Sequence, residues 1–278
     1  MMDLNWLECL FLGLVSGFTD VLPVSMQAHK AIFLKIFGTT GEPLLLRLAM
    51  HLGVILALYV CCHSHIRRML RQLRLARVPK KKRKRPLDSK TVAEFKVLRV
   101  MLVPLVLSFF LYSKTAGWES RLNLIAVFLL LNGVILYLPR LMPTGNKDSL
   151  SLSALDSLLM GLGTVAAVLP GVSGVGAVLS VASVCGCERK SALNLTYLIH
   201  LLLTAGLIVL DLMAILSGNV VFSIPVLLYC AAAAAAAGVG TYFGVRVMRL
   251  LAENIGFGPF AFYSAGAGLF AFLIFLMV

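Results

Sequence analysis

Apolar residues fill this chain in long blocks separated by short polar or charged stretches. The blocks Leu44–Cys62, Val97–Tyr112, Leu122–Leu138, Leu193–Leu216, Val221–Val245 and Pro259–Val278 read as membrane spans. A span needs roughly 20 apolar residues, with about 17 as a lower limit, so the second is short. Two further regions, roughly Leu4–Phe37 and Leu150–Cys185, are longer than one helix. Both are interrupted near the centre by the same kind of break: VLPVS at 21–25 and VLPGVS at 168–173. Proline removes a backbone donor, and within lipid no water replaces the lost partner. Such breaks are tolerated where the freed groups line a cavity or are buried in protein. Two of them in corresponding halves point to a binding site where internal repeats meet. The pattern predicts an all-α polytopic membrane protein with about six transmembrane helices and two re-entrant helical hairpins.

Composition agrees. Hydrophobic residues make up 60% of the chain and charged ones 13%, with a mean hydropathy of +0.94. A soluble domain of this length would not hide so much apolar surface, so residues 1–278 read as one membrane body. The N-terminus has Asp3 and Glu8 where a cleavable leader has a basic region, so no signal peptide is expected. The six cysteines lie mostly in or beside apolar runs, where cysteine behaves as a small hydrophobe. Cys61-Cys62-His63-Ser64-His65 lacks the spaced, convergent ligands of a structural zinc site and reads as the end of a span. Ala231–Ala237, followed by Gly238 and Gly240, reads as a helix surface built for close packing.

Charge orients the chain. Of the net +13, most comes from the loop 63–96: between Arg67 and Arg99 there are fourteen Lys or Arg. Pro79 and Pro86 bracket the run Lys80–Arg85 and argue against a continuous helix there. The run reads as a cytoplasmic loop attracted to anionic headgroups, not as a nucleic-acid arm. With that loop inside, Arg140, Glu188-Arg189-Lys190, Arg246 and Arg249 also fall at the inner rim. Lys30, Lys35, Arg47, Lys114 and Arg121 are the scattered exceptions. The first hairpin must then open outward and the second inward. Pseudo-repeats of about 1–140 and 141–278 would be related by inverted topology.

The first break concentrates polar groups. Asp20 is ionisable within apolar sequence, so a cation, a proton or a hydrogen-bonding partner is expected beside it. His29 could act as a general base, nucleophile or phosphate donor. Ser25 could bond a phosphate or act as nucleophile. The alternative is capping: Ser25 as the N-cap of the following helix, Asp20 at the end of the preceding one.

These segments resemble the bacitracin-resistance type of undecaprenyl-diphosphate phosphatase, whose motifs stand here as SGFTDVLPVSMQAH and PGVSGVGA. LRLAMHLGVILALYV, GCERKSALNLTYLIHLLLTAG and FGPFAFYSAGAGLFAF are similar to its later segments, in the same order, so the likeness covers nearly the whole chain. The resemblance implies a multi-pass protein of the bacterial cytoplasmic membrane that handles polyprenyl diphosphate in recycling the cell-wall lipid carrier. It implies catalytic roles for His29, Asp20 and Ser25, with Mg²⁺ or Ca²⁺ as cofactor and Asp20 as a ligand. Ser173 with the backbone at Gly171, Gly174 and Gly176 would bind phosphate. Three family positions depart: a motif glutamate is Ser16, a motif serine is Met26 and the motif arginine is Gly174. A lost transition-state arginine can cost on the order of 10³-fold or more in rate. Hydrolysis therefore stands beside two alternatives: a silent binder or carrier of polyprenyl phosphates, and an accessory subunit whose basic loop docks partners.

Overall fold

The computed structural model describes residues 4–39, 41–112, 114–115, 117–218, 222–254 and 257–277. Among them lie ten α-helices: α1 (Trp6–Asp20), α2 (Met26–Ile36), α3 (Leu44–Ala76), α4 (Ser89–Tyr112), α5 (Leu122–Tyr137), α6 (Ala154–Ala166), α7 (Gly174–Val184), α8 (Arg189–Ser217), α9 (Ile224–Asn254) and α10 (Pro259–Met277). Six helical segments are long and apolar enough to cross a membrane: α3, α4, α5 with the turn that follows it, α8, α9 and α10. The sequence boundaries Val221 and Val278 lie outside the described residues.

The other four helices come in pairs, α1–α2 and α6–α7. With 15, 11, 13 and 11 residues, each rises only about 16–23 Å, less than the roughly 30 Å of a hydrocarbon core. Their starts are written in sequence. Asn5 and Glu8 close a reciprocal capping box at α1, and Ser153 and Asp156 do so at α6. Ser25 and Ser173 cap α2 and α7. Each pair packs against a helix from the other half of the chain, α1 on α9 and α6 on α4.

Small residues set that packing. A Cβ added at Gly13 or Gly17 of α1 would run into the backbone of Ala233 or Ala237, and one at Gly53 of α3 into that of Ala234. The alanine run of α9 is therefore where α1 and α3 both close onto it, as expected. On the opposite side, Gly161 of α6 lies against α4, where an added Cβ would sit 2.9 Å from Met101 Cα and from Pro104 Cγ.

Two sequence boundaries are revised. The basic loop is shorter than 63–96, because α3 continues to Ala76 and α4 begins at Ser89. The short second span accordingly becomes a helix of 24 residues. Polar residues extend both helices beyond their apolar blocks, and a cross-link holds the extensions together: Glu94 accepts from Arg68 Nη2 and from His65 Nε2, each at 3.0 Å. Pro79 and Pro86 fall in the remaining connection, where Arg83 donates to the carbonyls of Val78 and Ala76 and closes the end of α3.

The two ends of the bundle differ in charge. The end of α3, the start of α4, the start of α8 and the end of α9 gather Arg68, Lys90, Arg189, Lys190 and Arg249 around shared cavities. At the opposite end Lys30 and Arg47 have acidic partners. Lys30 Nζ lies 2.7 Å from Glu42, and Arg47 lies 2.7 Å from Asp211 and 3.7 Å from Glu119.

The helix contacts make a direct stability test. Gly17→Val should destabilise the fold by about 1–3 kcal/mol through overpacking, lowering the thermal unfolding midpoint in detergent. Gly266→Ala should leave that midpoint unchanged, since nothing lies within 4 Å of its added Cβ.

Candidate functional site

The two breaks meet. Ser25 Oγ accepts from Ala28 N–H at 3.3 Å, capping its own helix, and from Gly171 N–H in the other break at 3.1 Å. Ser173 Oγ accepts from Gly176 N–H at 3.1 Å and donates across to the Leu22 carbonyl at 3.0 Å. Each serine thus caps its own helix and bonds the other break.

Two spanning helices complete the pairing. Asn132 of α5 accepts from Ser173 N–H at 2.9 Å and donates to the Pro23 carbonyl at 3.3 Å and to Ser264 Oγ of α10 at 2.8 Å. Tyr197 of α8 donates to the Val21 carbonyl at 3.2 Å. The carbonyls of Val21, Leu22 and Pro23, released where α1 ends, are therefore each bonded by a different element. Gly171 takes φ +125°, a left-handed conformation that other residues adopt only under strain. A Cβ there would also press on α5, 2.8 Å from the Ile125 carbonyl.

A small cavity of about 60 Å³ sits at the crossing, lined by Asp20, Ser25, Met26, Gly174, Ser173 and His200 together with Phe109 and Leu203. The N-termini of α2 and α7 both reach it. A helix N-terminus carries partial positive charge and directs unbonded amides outward, which suits an anion. Gly171, Ser173 and Gly176 have committed their amides to side chains. Gly174 supplies the first amide of α7 at the cavity wall.

Asp20 and His200 face each other here, Oδ2 to Nε2 at 2.8 Å, both largely buried. His200 was not singled out in the sequence, although an ionisable residue in the apolar run LTYLIHLLLTAG is such a signal. Tyr197 and His200 lie one turn apart on α8 and share a face, so one helix holds both the first break and its acid. Asn132 gives the same kind of signal, a lone amide in FLLLNGVIL. It too went unread.

His29 is placed differently. Its Nδ1 lies 2.8 Å from the Ser25 carbonyl and its Nε2 2.7 Å from Tyr263 Oη of α10. In the neutral ring Nδ1–H donates to the carbonyl and Nε2 accepts from the phenol. His29 turns toward α10 and does not line the small cavity, and the acid of the first break pairs with His200 instead. Ser16 lies one turn before Asp20, with its hydroxyl buried and without a partner among the described residues.

Gln27 lines the small cavity and also a larger one of about 800 Å³, whose polar wall includes Lys30, Lys35, Glu42, Glu119 and Arg121. Its Oε1 is buried and unpartnered among the described residues. Beyond it, Arg47 Nε and His51 Nδ1 each lie 2.7 Å from Asp211.

The donor set does not fit a hard divalent cation. Mg²⁺ and Ca²⁺ take six or more oxygen ligands, usually with several carboxylates or retained waters. The cavity at the crossing offers one carboxylate, held by an imidazole, and otherwise only neutral oxygens, those of Ser25, Ser173, Ser108, Thr164, Tyr112 and Gln27. No group of three or more His, Cys, Asp or Glu residues that could hold a metal occurs among the described residues.

A family model described as bacitracin resistance protein BacA matches residues 9–270. The chain belongs to the BacA family. It is similar to an undecaprenyl-diphosphatase of Methanobrevibacter smithii, 26% identical over 273 residues and 96% of each chain. One from Pelobacter propionicus is 27% identical over 267 residues, 95% of each chain. One from Methanococcus maripaludis strain C6 is 29% identical over 206 residues, 74% of this chain and 78% of that one.

Within this BacA-family chain, the departure at Gly174 is built into the backbone. A Cβ at Gly174 would lie 2.8 Å from Ala167 Cβ, so the end of α6 has closed over the space an arginine stem needs. Gly174→Arg alone should lower the thermal midpoint, and pairing it with Ala167→Gly should recover part of the loss. Asn132→Leu should cost more, because it strands Ser173 N–H and the Pro23 carbonyl. A buried group left unsatisfied costs about 1–3 kcal/mol, and loss of folded protein on size-exclusion chromatography would register it.

Proposed function

We propose that this protein acts on polyprenyl diphosphate in the cytoplasmic membrane, releasing the terminal phosphate so that the monophosphate returns to the lipid-carrier cycle. One observation carries this reading: two helix N-termini, one from each half of the chain, converge on a cavity that holds a buried carboxylate–imidazole pair. The names of the relatives add the substrate class.

The chemistry follows from the pair. Asp20 accepts the Nε2 proton of His200 and holds the ring in one tautomer, leaving Nδ1 to take a proton from attacking water. The water oxygen bonds to the terminal phosphorus, and the bond from that phosphorus to the bridging oxygen breaks. The released polyprenyl phosphate carries the electron pair on the former bridging oxygen. The α2 and α7 N-termini stabilise charge on the phosphoryl oxygens, an electrostatic role in phosphoryl transfer. The two hairpins form an inverted repeat that opens to opposite leaflets, with the basic loop inside. This reading is supported by the matched packing of α1 on α9 and α6 on α4 and by the charge difference between the ends.

Purified protein in nanodiscs should release phosphate from undecaprenyl diphosphate. His200→Ala should lower kcat by about 10²–10⁴, the range for loss of a general acid–base group, and Asp20→Asn should lower it similarly. Tyr263→Phe, which frees His29 Nε2, should change kcat less than tenfold. If phosphate release is absent while the lipid binds saturably, the protein is the silent binder that Met26 and Gly174 favour, and the hydrolytic reading fails.

A further inference from the structure

At the end of the bundle remote from Lys30 and Arg47, two cavities of about 450 and 140 Å³ share His65, Lys190 and Asn194 in their walls. They lie far from the crossing. About 15 Å of helix rise separates Lys190 from His200 along α8, and about 16 Å separates His200 from Asp211 in the other direction. This space is therefore a third location on the same helix.

Its walls are unequal in charge. Arg68 and Glu94 are paired, with His65 bonded to the same carboxylate. In the smaller cavity that leaves Lys90 and Lys190 with Glu188, which accepts from Ser191 Oγ at 2.7 Å, and the adjoining larger one adds Arg189 and Arg249, the latter bonded to the Cys61 carbonyl at 2.8 Å. No ion pair to Lys90, Arg189 or Lys190 occurs among the described residues. The first turn of α8 opens here, and its N-cap residue Glu188 makes no side-chain capping bond. The amides of that turn add to the positive potential.

Two polar atoms in the smaller cavity lack a partner. Ser149, only 3% exposed, lines it, and its Oγ is buried without a hydrogen bond among the described residues. Arg68 Nε is in the same condition. Buried polar groups are nearly always bonded, so such orphans indicate something that completes them. Both are donors, on a wall with a surplus of positive charge. Phosphate brings strong acceptor oxygens and negative charge in one group.

We propose that this cavity is a second phosphate-binding site, separate from the crossing, that takes a phosphate group either as the free ion or as an anionic lipid headgroup. Ser149 and Arg68 Nε donate to its oxygens, and Lys90 and Lys190 neutralise it from the open side. The site does not depend on hydrolysis at Asp20 and His200.

Amine-reactive labelling of Lys190, quantified by mass spectrometry on the full chain in nanodiscs, reads occupancy locally. In phosphatidylcholine discs, millimolar inorganic phosphate should slow labelling of Lys190 at least fivefold, while chloride at equal ionic strength does not. Protection in phosphatidylglycerol discs without added phosphate identifies the headgroup as the source. Either result supports the site. Ser149→Ala should abolish most of the protection without loss of helix content, and Lys35 at the other end should stay unprotected. Equal slowing by chloride, no protection in either disc, or undiminished protection in Ser149→Ala would overturn the proposal. Labelling is independent of phosphate release, so failure of the hydrolytic reading and failure of this site are distinguishable.

Discussion

Two interrupted helices inside an apolar body must bond their freed backbone groups to protein, and nearly everything at the centre of this fold answers that demand. A carbonyl or amide in lipid without a partner costs several kcal/mol. Here the breaks satisfy each other. Ser25 takes the Gly171 amide, Ser173 gives to the Leu22 carbonyl, and Asn132 and Tyr197 give to the carbonyls of Pro23 and Val21. Because each serine also caps its own helix, the residue that starts α2 also positions the break before α7. The crossing is one cooperative unit, and no single half of the chain could form it.

This geometry brings the chemistry with it. Bonding the breaks to each other aims two helix N-termini at one point, which makes an anion-attracting pocket before any side-chain chemistry is added. Asp20 stands at that point because it ends α1. Its carboxylate does not stand there unpaired: His200 Nε2 lies 2.8 Å from it. The same α8 face holds the Val21 carbonyl through Tyr197, so the imidazole is positioned by the contact that stabilises the break. Polar residues along α8 thus serve three depths: the basic end at Lys190, the crossing at His200, and the Arg47–Asp211–His51 cluster.

The departures from the family pattern are expressed in packing. Met26 stands at the cavity wall where a hydroxyl is expected, and Ala167 occupies the space beside Gly174. Adding one long side chain therefore displaces α6, which itself is clamped against α4 at Gly161. Small residues confer the same intolerance on α1, α3 and α9, where the backbones approach too closely for a Cβ at Gly13, Gly17, Gly53 or Gly240. In a membrane, where apolar burial gives little drive between helices, such close contact and the few interior hydrogen bonds hold the bundle together.

The sequence by itself determined the class, the six spans and the two breaks, and offered Ser25 as a cap, because hydropathy, proline and N-cap preference act over a few neighbouring residues. It also determined the role of the alanine run, since small residues in an apolar helix have few other uses. What only the tertiary structure decided were the pairings. Asp20 meets His200, and His29 meets Tyr263, through contacts between residues more than a hundred positions apart. The lengths of α3 and α4 were likewise decided by a contact, the Arg68–Glu94–His65 link, which no apolar block records. Local chemistry names the groups that need partners, and only the folded chain selects which distant residue supplies each one.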